Sequence, residues 1–278
     1  MPRLSALAAA VLPILTVTGL FAVPAAAQEQ AEPERCPQLV VSVPWLTPFS
    51  FVGRAEAAGK DVRLTYIGHS TFLIESPAGV TIATDYNDTV RPSVVPRIAT
   101  MNRAHSTHFS FNPDPGIEYV LPGWGENGQP AHHELTVDDV WIRNVTTNIR
   151  GGFGMSDVIQ RDMNSIFVFE VAELCIAHLG HLHHPLTEEH LKALGRIDVV
   201  LAPVDGSLTL NVDDMIGVLQ AIQAPLVIPM HFFGQGTLNR FLDRLGEHYE
   251  IQRSDTPSVI LSRETLPRMP TVLVLPGY

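Results

Sequence analysis

Twelve histidines occur in the chain, and five of them fall where metal ligation would be the natural chemistry. His105 and His108 lie three apart, a loop beyond the run TIATD. His178 and His181 sit in HLGHLHH, which closes the apolar run LCIAHL. His231 follows directly on LVIPM. Neutral imidazole is the commonest side-chain ligand for a transition metal. Three separate strand ends that each deliver one can surround a shared cation. The structural alternative is a surface imidazole, or a core one with its hydrogen bonds met. His132, His133, His190 and His248 are read that way, and His69, in GHS, as a structural hydrogen-bonder.

The elements that must position these side chains are legible from periodicity. VRLTYIG alternates, and STFLIES and VTIATD follow it across the turn SPAG, so the first three strands are expected to be antiparallel. Residues 103–135 read as a long loop. VWIRNV, SIFVFEV and LCIAHL are further strands. The second half changes character. Thr187 caps a short helix that Gly195 stops, and IDVVLAPV is a buried strand. Asn211 caps a helix with Met215, Leu219 and Ile222 at helical spacing. APLVIPM is again a strand, TLNRFLDRLGEH a helix, and SVILSRE and TVLVLP return to β pattern. Strand–helix alternation implies parallel strands in an α/β sheet. Sites in such sheets form beyond the carboxyl ends of strands, where His178, His181 and His231 lie.

Composition narrows the setting. Arg3, a long apolar run and the ending PAAAQ form a targeting signal over residues 1–27, with cleavage after Ala27. Pro13 and Pro24 argue against a retained anchor. Residues 28–60, with four prolines, are a linker and lead-in, and residues 61–278 are expected to form one domain. No other apolar run approaches the length of a membrane span, so a soluble, exported protein is expected, periplasmic or secreted. The net charge of −11 becomes −12 once the segment carrying Arg3 is removed. An acidic surface repels phosphate backbones, which argues against nucleic acid as a partner. An oxidising compartment permits a disulfide between Cys36 and Cys175; the alternative is a buried thiol and an unpaired one. There is no C-x-x-C for redox chemistry, no G-x-S-x-G for a serine nucleophile, and no P-loop in IRGGFG.

The ordered set GHSTFLIE, TIATD, NRAHSTH, IAHLGH, IDVVLAPVDG and IPMH resembles the metallo-β-lactamase superfamily over about residues 62–235. It is most similar to the branch of lactonase-like proteins and N-acylphosphatidylethanolamine phospholipases. The resemblance implies an αββα sandwich of two mixed sheets with a metal site along one edge, holding one or two zinc ions. The family motif H-x-H-x-D-H is altered here. His105 and His108 match its second and third histidines, Arg103 stands at the first, and Thr107 replaces the aspartate. His178 and His231 match later ligands, and His181 stands where the family has a bridging aspartate. Asp85 matches an aspartate that orients ligands.

A guanidinium cannot ligate, and fewer carboxylates weaken the case for two adjacent dications. One ion on His108, His181 and His231 is therefore the favoured arrangement. His105 and His178 are then further ligands or a weak second site, with manganese or iron as alternatives to zinc. The implied activity is hydrolysis of an ester, lactone, amide or phosphoester in a small molecule by metal-activated water. Asp205 or Asp114 would move the proton. Arg103 would bind an anionic substrate group or point outward structurally. Phe153, Trp124 and Phe232 would line a pocket or pack the core. A binding protein descended from the same scaffold, with a degenerate site, is the competing reading.

Overall fold

The computed structural model describes residues 60–151 and 159–277. The targeting segment, the lead-in to residue 59, Cys36 with its pairing to Cys175, and Phe153 lie outside the described residues.

Among the described residues, fourteen strands form two mixed sheets. The six-stranded sheet begins with the antiparallel run expected from sequence: β1 (Val62–Gly68), β2 (Thr71–Glu75) and β3 (Thr81–Ala83). Two parallel strands, β4 (Ile98–Met101) and β5 (Tyr119–Pro122), extend it beyond β3. On the other edge, β13 (Ser258–Leu261) pairs with β1. The stretch 103–135, loop-like by sequence, thus contains β5 and the start of β6 (Glu134–Val137). Both are four-residue strands, too short to show an alternation of their own.

The eight-stranded sheet runs β12-β14-β11-β10-β9-β8-β7-β6. Its antiparallel side is β6, β7 (Val140–Arg150) and β8 (Ile159–Val171). Its parallel side is β9 (Leu174–His178), β10 (Val199–Pro203), β11 (Leu226–Met230), β14 (Thr271–Val274) and β12 (Glu250–Arg253). Strands β9, β10 and β11 are buried along their whole length, and for that reason their sequences are continuous apolar runs.

Helices α1 (Glu188–Leu194), α2 (Val212–Ile222) and α3 (Gln235–Leu245) supply the crossovers. The Thr187 side chain accepts from the His190 backbone and the Asn211 side chain from the Asp214 backbone, so both expected caps form. The helices cover one face of the eight-stranded sheet: Met215, Leu219, Leu238 and Phe241 pack on Val200, Ala202 and Val227. The other face meets the six-stranded sheet through Leu64, Phe72 and Ile82 against Phe167, Ile176 and Leu201. Over the outer face of the smaller sheet, Phe109 and Ile117 pack on Ala83, Ala99 and Met101. Among the described residues no helix covers that face, and none is long and apolar enough to cross a membrane. Burying both faces of the large sheet holds the carboxyl ends of β9, β10 and β11 in place, and His181, Asp205 and His231 follow those ends.

Candidate metal centre

Three consecutive parallel strands deliver three side chains at their carboxyl ends. His181 follows β9, Asp205 follows β10 and His231 follows β11. The facing sheet contributes His69 from the β1–β2 turn, Asp85 just past β3, and Asn102 and His108 past β4. Four imidazole rings converge between the two sets. The His108 ring centre lies 5.2 Å from that of His69, 4.7 Å from that of His181 and 5.1 Å from that of His231. His69 and His231 are 4.1 Å apart, and His181 and His231 4.9 Å.

The two central rings are each tied from behind by a carboxylate. His108 Nδ1 lies 2.6 Å from Asp85 Oδ2, and His231 Nδ1 lies 3.1 Å from Asp205 Oδ1. An ionised carboxylate only accepts, so each Nδ1 carries the proton and each Nε2 presents a lone pair. Those two Nε2 atoms are 3.2 Å apart, with all four side chains buried. Two lone pairs at that distance repel unless a cation lies between them. Nitrogens sharing a tetrahedral ion at about 2.0–2.1 Å would stand roughly 3.3 Å apart, so the spacing suits one. His69, His108 and His231 place a nitrogen each within 4.8 Å of one another. His69 Nε2 and His181 Nε2 are buried with no hydrogen-bond partner, as unspent donor or acceptor capacity facing a ligand would be.

The surrounding network has little slack. Asn102 donates to Asp85 Oδ1 at 2.9 Å and accepts from the Ser165 backbone at 2.7 Å. Asn164 accepts from the His181 backbone at 2.7 Å and donates to Thr147 Oγ1 at 2.8 Å. The His231 backbone N–H donates to the His69 carbonyl at 2.7 Å, which also accepts from Tyr66 Oη. His69, Asp85 and His231 all hold positive φ, at 52°, 43° and 53°. For a residue with a Cβ this left-handed backbone costs about 1–2 kcal/mol. Three such residues around one centre is the local strain that functional sites accumulate.

Burial favours the neutral form of His69, His108 and His181. Burial, aided by His231 and His108, pushes the His69 pKa down to about 3. Burial likewise lowers His108, His181 and His105. Burial alone would raise Asp85, but His178 and His108 outweigh it and hold the carboxyl below its usual range. Burial would raise Asp205 as well, yet hydrogen bonds from His231 and Thr209 hold it well below the usual carboxylate range. Neutral imidazole and ionised carboxylate are the states that ligation requires.

The other residues read from sequence take up separate positions. His105 lies exposed at the rim, its ring 4.7 Å from that of His181 and 6.0 Å from that of His108. His178 is buried behind the centre: its Nε2 donates to the Ser70 carbonyl at 2.8 Å and its Nδ1 accepts from the Gly180 backbone at 3.2 Å. Both nitrogens are spent in bracing β9 against the β1–β2 turn. Asp205 accepts from Ser207, Leu208, Thr209 and His231, so it orients His231 and its own loop. Asp114 accepts from the Gly116 backbone within its loop. Arg103 is exposed, its guanidinium 5.0 Å from the Phe109 ring centre and 5.4 Å from that of Trp124. Trp124 therefore packs beneath Arg103, and Phe232 packs on Tyr66.

His69, read as a hydrogen-bonder, does accept two hydrogen bonds through its carbonyl, yet its ring also joins the cluster. Nothing in sequence periodicity singled out Asn102 or Asn164. A cavity of about 410 Å³ opens beside His69, lined by Tyr66, Phe232, Phe233, Arg253 and Leu275 among others.

Comparison with known proteins agrees with this architecture. Residues 63–231 match the model for the beta-lactamase superfamily domain. A UPF0173 metal-dependent hydrolase of Salinibacter ruber is 25% identical over 214 residues, spanning 69% of this chain and 94% of the relative. A second, from Methanoculleus marisnigri, is 24% identical over 192 residues, 62% of this chain and 81% of the relative. A crystal structure from Thermotoga maritima, described as a candidate Zn-dependent hydrolase, superposes with a TM-score of 0.57 at 27% identity. It covers 78% of this chain and 100% of the other. With a family model matched over more than half its length on a scaffold of two mixed sheets, the chain belongs to the metallo-β-lactamase superfamily.

Proposed function

We propose that this metal-dependent hydrolase of the metallo-β-lactamase superfamily works with one divalent ion held by His69, His108 and His231. The observation that carries the reading is the 3.2 Å approach of two buried, carboxylate-backed Nε2 atoms. Zinc suits an all-imidazole donor set, with manganese or iron as alternatives. Such an ion, when bound, activates water and polarises a carbonyl or phosphoryl oxygen. The chain's own residues do the rest. Asp85 and Asp205 fix the tautomers of His108 and His231, and Asn102 holds Asp85 in register. The buried rings exclude bulk water, which strengthens every polar contact inside. The substrate we propose is a small molecule with an ester, lactone, amide or phosphoester bond, entering by the cavity beside His69.

A binding protein on the same scaffold is the second reading. It is favoured by Arg103 and Thr107 in the altered motif, and by carboxylates that all stand behind imidazoles instead of facing the centre. Elemental analysis of purified protein, a hydrolysis panel of esters, lactones and phosphodiesters, and a chelator control separate the two. Near-stoichiometric metal with chelator-sensitive turnover supports the hydrolase. Metal without turnover across the panel supports the binding protein. No transition metal even after zinc is supplied overturns both the ligand set and the hydrolase.

The N-terminal segment supports export. Arg3, the apolar run and the PAAAQ ending are those of a cleaved signal, so we read the mature protein as periplasmic or secreted. An intact mass beginning at Gln28 is expected, and retention of Met1 in mature protein would refute it.

A further inference from the structure

Backbone hydrogen bonds fix how the imidazoles of HLGHLHH hold their protons. The Arg150 backbone N–H donates to His183 Nδ1 at 2.6 Å, so that nitrogen must carry a lone pair. A neutral His183 then has its proton on Nε2. His183 Nε2 lies 2.5 Å from His181 Nδ1, which therefore accepts. A neutral His181 is left with its own proton on Nε2. That nitrogen is buried, without a partner, on a ring standing nearly perpendicular to His108 and His231. His184, which ends the run, obeys the same logic in full: its Nε2 accepts from the Asn148 backbone while its Nδ1 donates to the Pro185 carbonyl.

We infer that His181 is a hydrogen-bond donor aimed into the metal centre, not a ligand, and that His183 is the positioning residue that sets this tautomer. The inference rests on the metal site proposed above. Its Nε2–H would face an oxygen of the substrate as negative charge develops there, the role of a preorganised oxyanion donor. A ring with a lone pair at Nε2 would instead compete for the ion. Strand β7 thus acts on the site from a distance: the Arg150 N–H at its end decides the tautomer of His183, and through it that of His181.

The test has two arms. Long-range ¹⁵N–¹H correlation spectra of the metal-free full chain report which ring nitrogen of each histidine is protonated. His181 and His183 are both expected as Nε2–H, with His183→Ala releasing His181 to a mixture of tautomers. A wild-type His181 protonated at Nδ1 overturns the inference. The second arm measures zinc affinity. His181→Ala is expected to keep it within the roughly 10–100-fold that a supporting contact costs, while lowering kcat more than KM changes; His231→Ala loses the ion. Loss of zinc from His181→Ala equal to that from His231→Ala overturns the donor role. Wild type without zinc would refute the metal site itself, and the spectra of the metal-free chain would still decide the tautomer.

Discussion

His108 and His231 are 123 residues apart in sequence, yet their Nε2 atoms stand 3.2 Å from one another. They arrive from different sheets, and each is backed by an aspartate, Asp85 or Asp205, whose loop is tied down by further donors. Each ring is thus braced from behind by a carboxylate of its own sheet, the His231 backbone N–H reaches across to the His69 carbonyl, and an ion held as proposed would bridge the two sheets at one edge of the sandwich.

This arrangement makes the aspartates positioning groups with a measurable effect on binding. Asp85→Asn and Asp205→Asn should each weaken zinc affinity by about 10–100-fold, because the amide no longer selects the Nδ1–H tautomer. Competition titration with a chromophoric chelator measures this. Unchanged affinity in both variants would mean that the carboxylates do not orient ligands.

Metal should also stabilise the folded chain, since the ligands come together only in it. Thermal melts with saturating zinc should show a higher Tm than melts in a chelator. The difference should vanish in His231→Ala, and a difference that persisted there would place the ion elsewhere.

Gly180 stands where a side chain has no room. Its φ is 60°, and a Cβ there would come within 2.4 Å of Asn164 Oδ1 and 2.5 Å of Asn102 Nδ2. Those two asparagines hold His181 and Asp85. Gly180→Ala should therefore destabilise by about 2–4 kcal/mol and weaken metal binding together. Chemical denaturation gives the first and chelator competition the second; a variant as stable as the parent would show that the asparagines can shift.

Acid should weaken the fold. Burial pushes His69 and His183 down to about 3, while in the unfolded chain imidazole titrates at about 6.5. Between those values the unfolded state binds more protons, so stability falls as pH drops from about 6.5 towards 3. The depressed carboxyls of Asp85 and Asp205 act in the same direction at lower pH: the stability they contribute is present above about 3.9 and lost as pH falls further. Metal-free melts should show Tm dropping steadily from pH 7 to pH 5, and a flat profile would contradict neutral buried rings.

Arg103 offers a sharp contrast. Its guanidinium rests against Phe109 and Trp124, a contact worth about 0.5–1 kcal/mol at an exposed position. Arg103→Ala should lower stability by that amount and leave zinc affinity unchanged. If kcat/KM for anionic substrates alone fell, the residue would also contact the substrate.

The sequence by itself determined the buried strands, the two helix caps and the family resemblance, because hydrophobic periodicity and capping chemistry are local. It also marked the strand ends that carry His181 and His231, since chemistry at the carboxyl end of a buried run is a local pattern too. Which imidazoles face a common point was decided by tertiary structure. His178 and His181 differ by three positions, yet one spends both nitrogens on backbone groups and the other faces the centre, because the pairing of β9 with the β1–β2 turn lies outside any local window. His69 joins the cluster for the same reason. Its ring meets that of His108 because β1, β2 and β4 share a sheet, and that of His231 only once the two sheets pack face to face; no spacing along the chain encodes either approach.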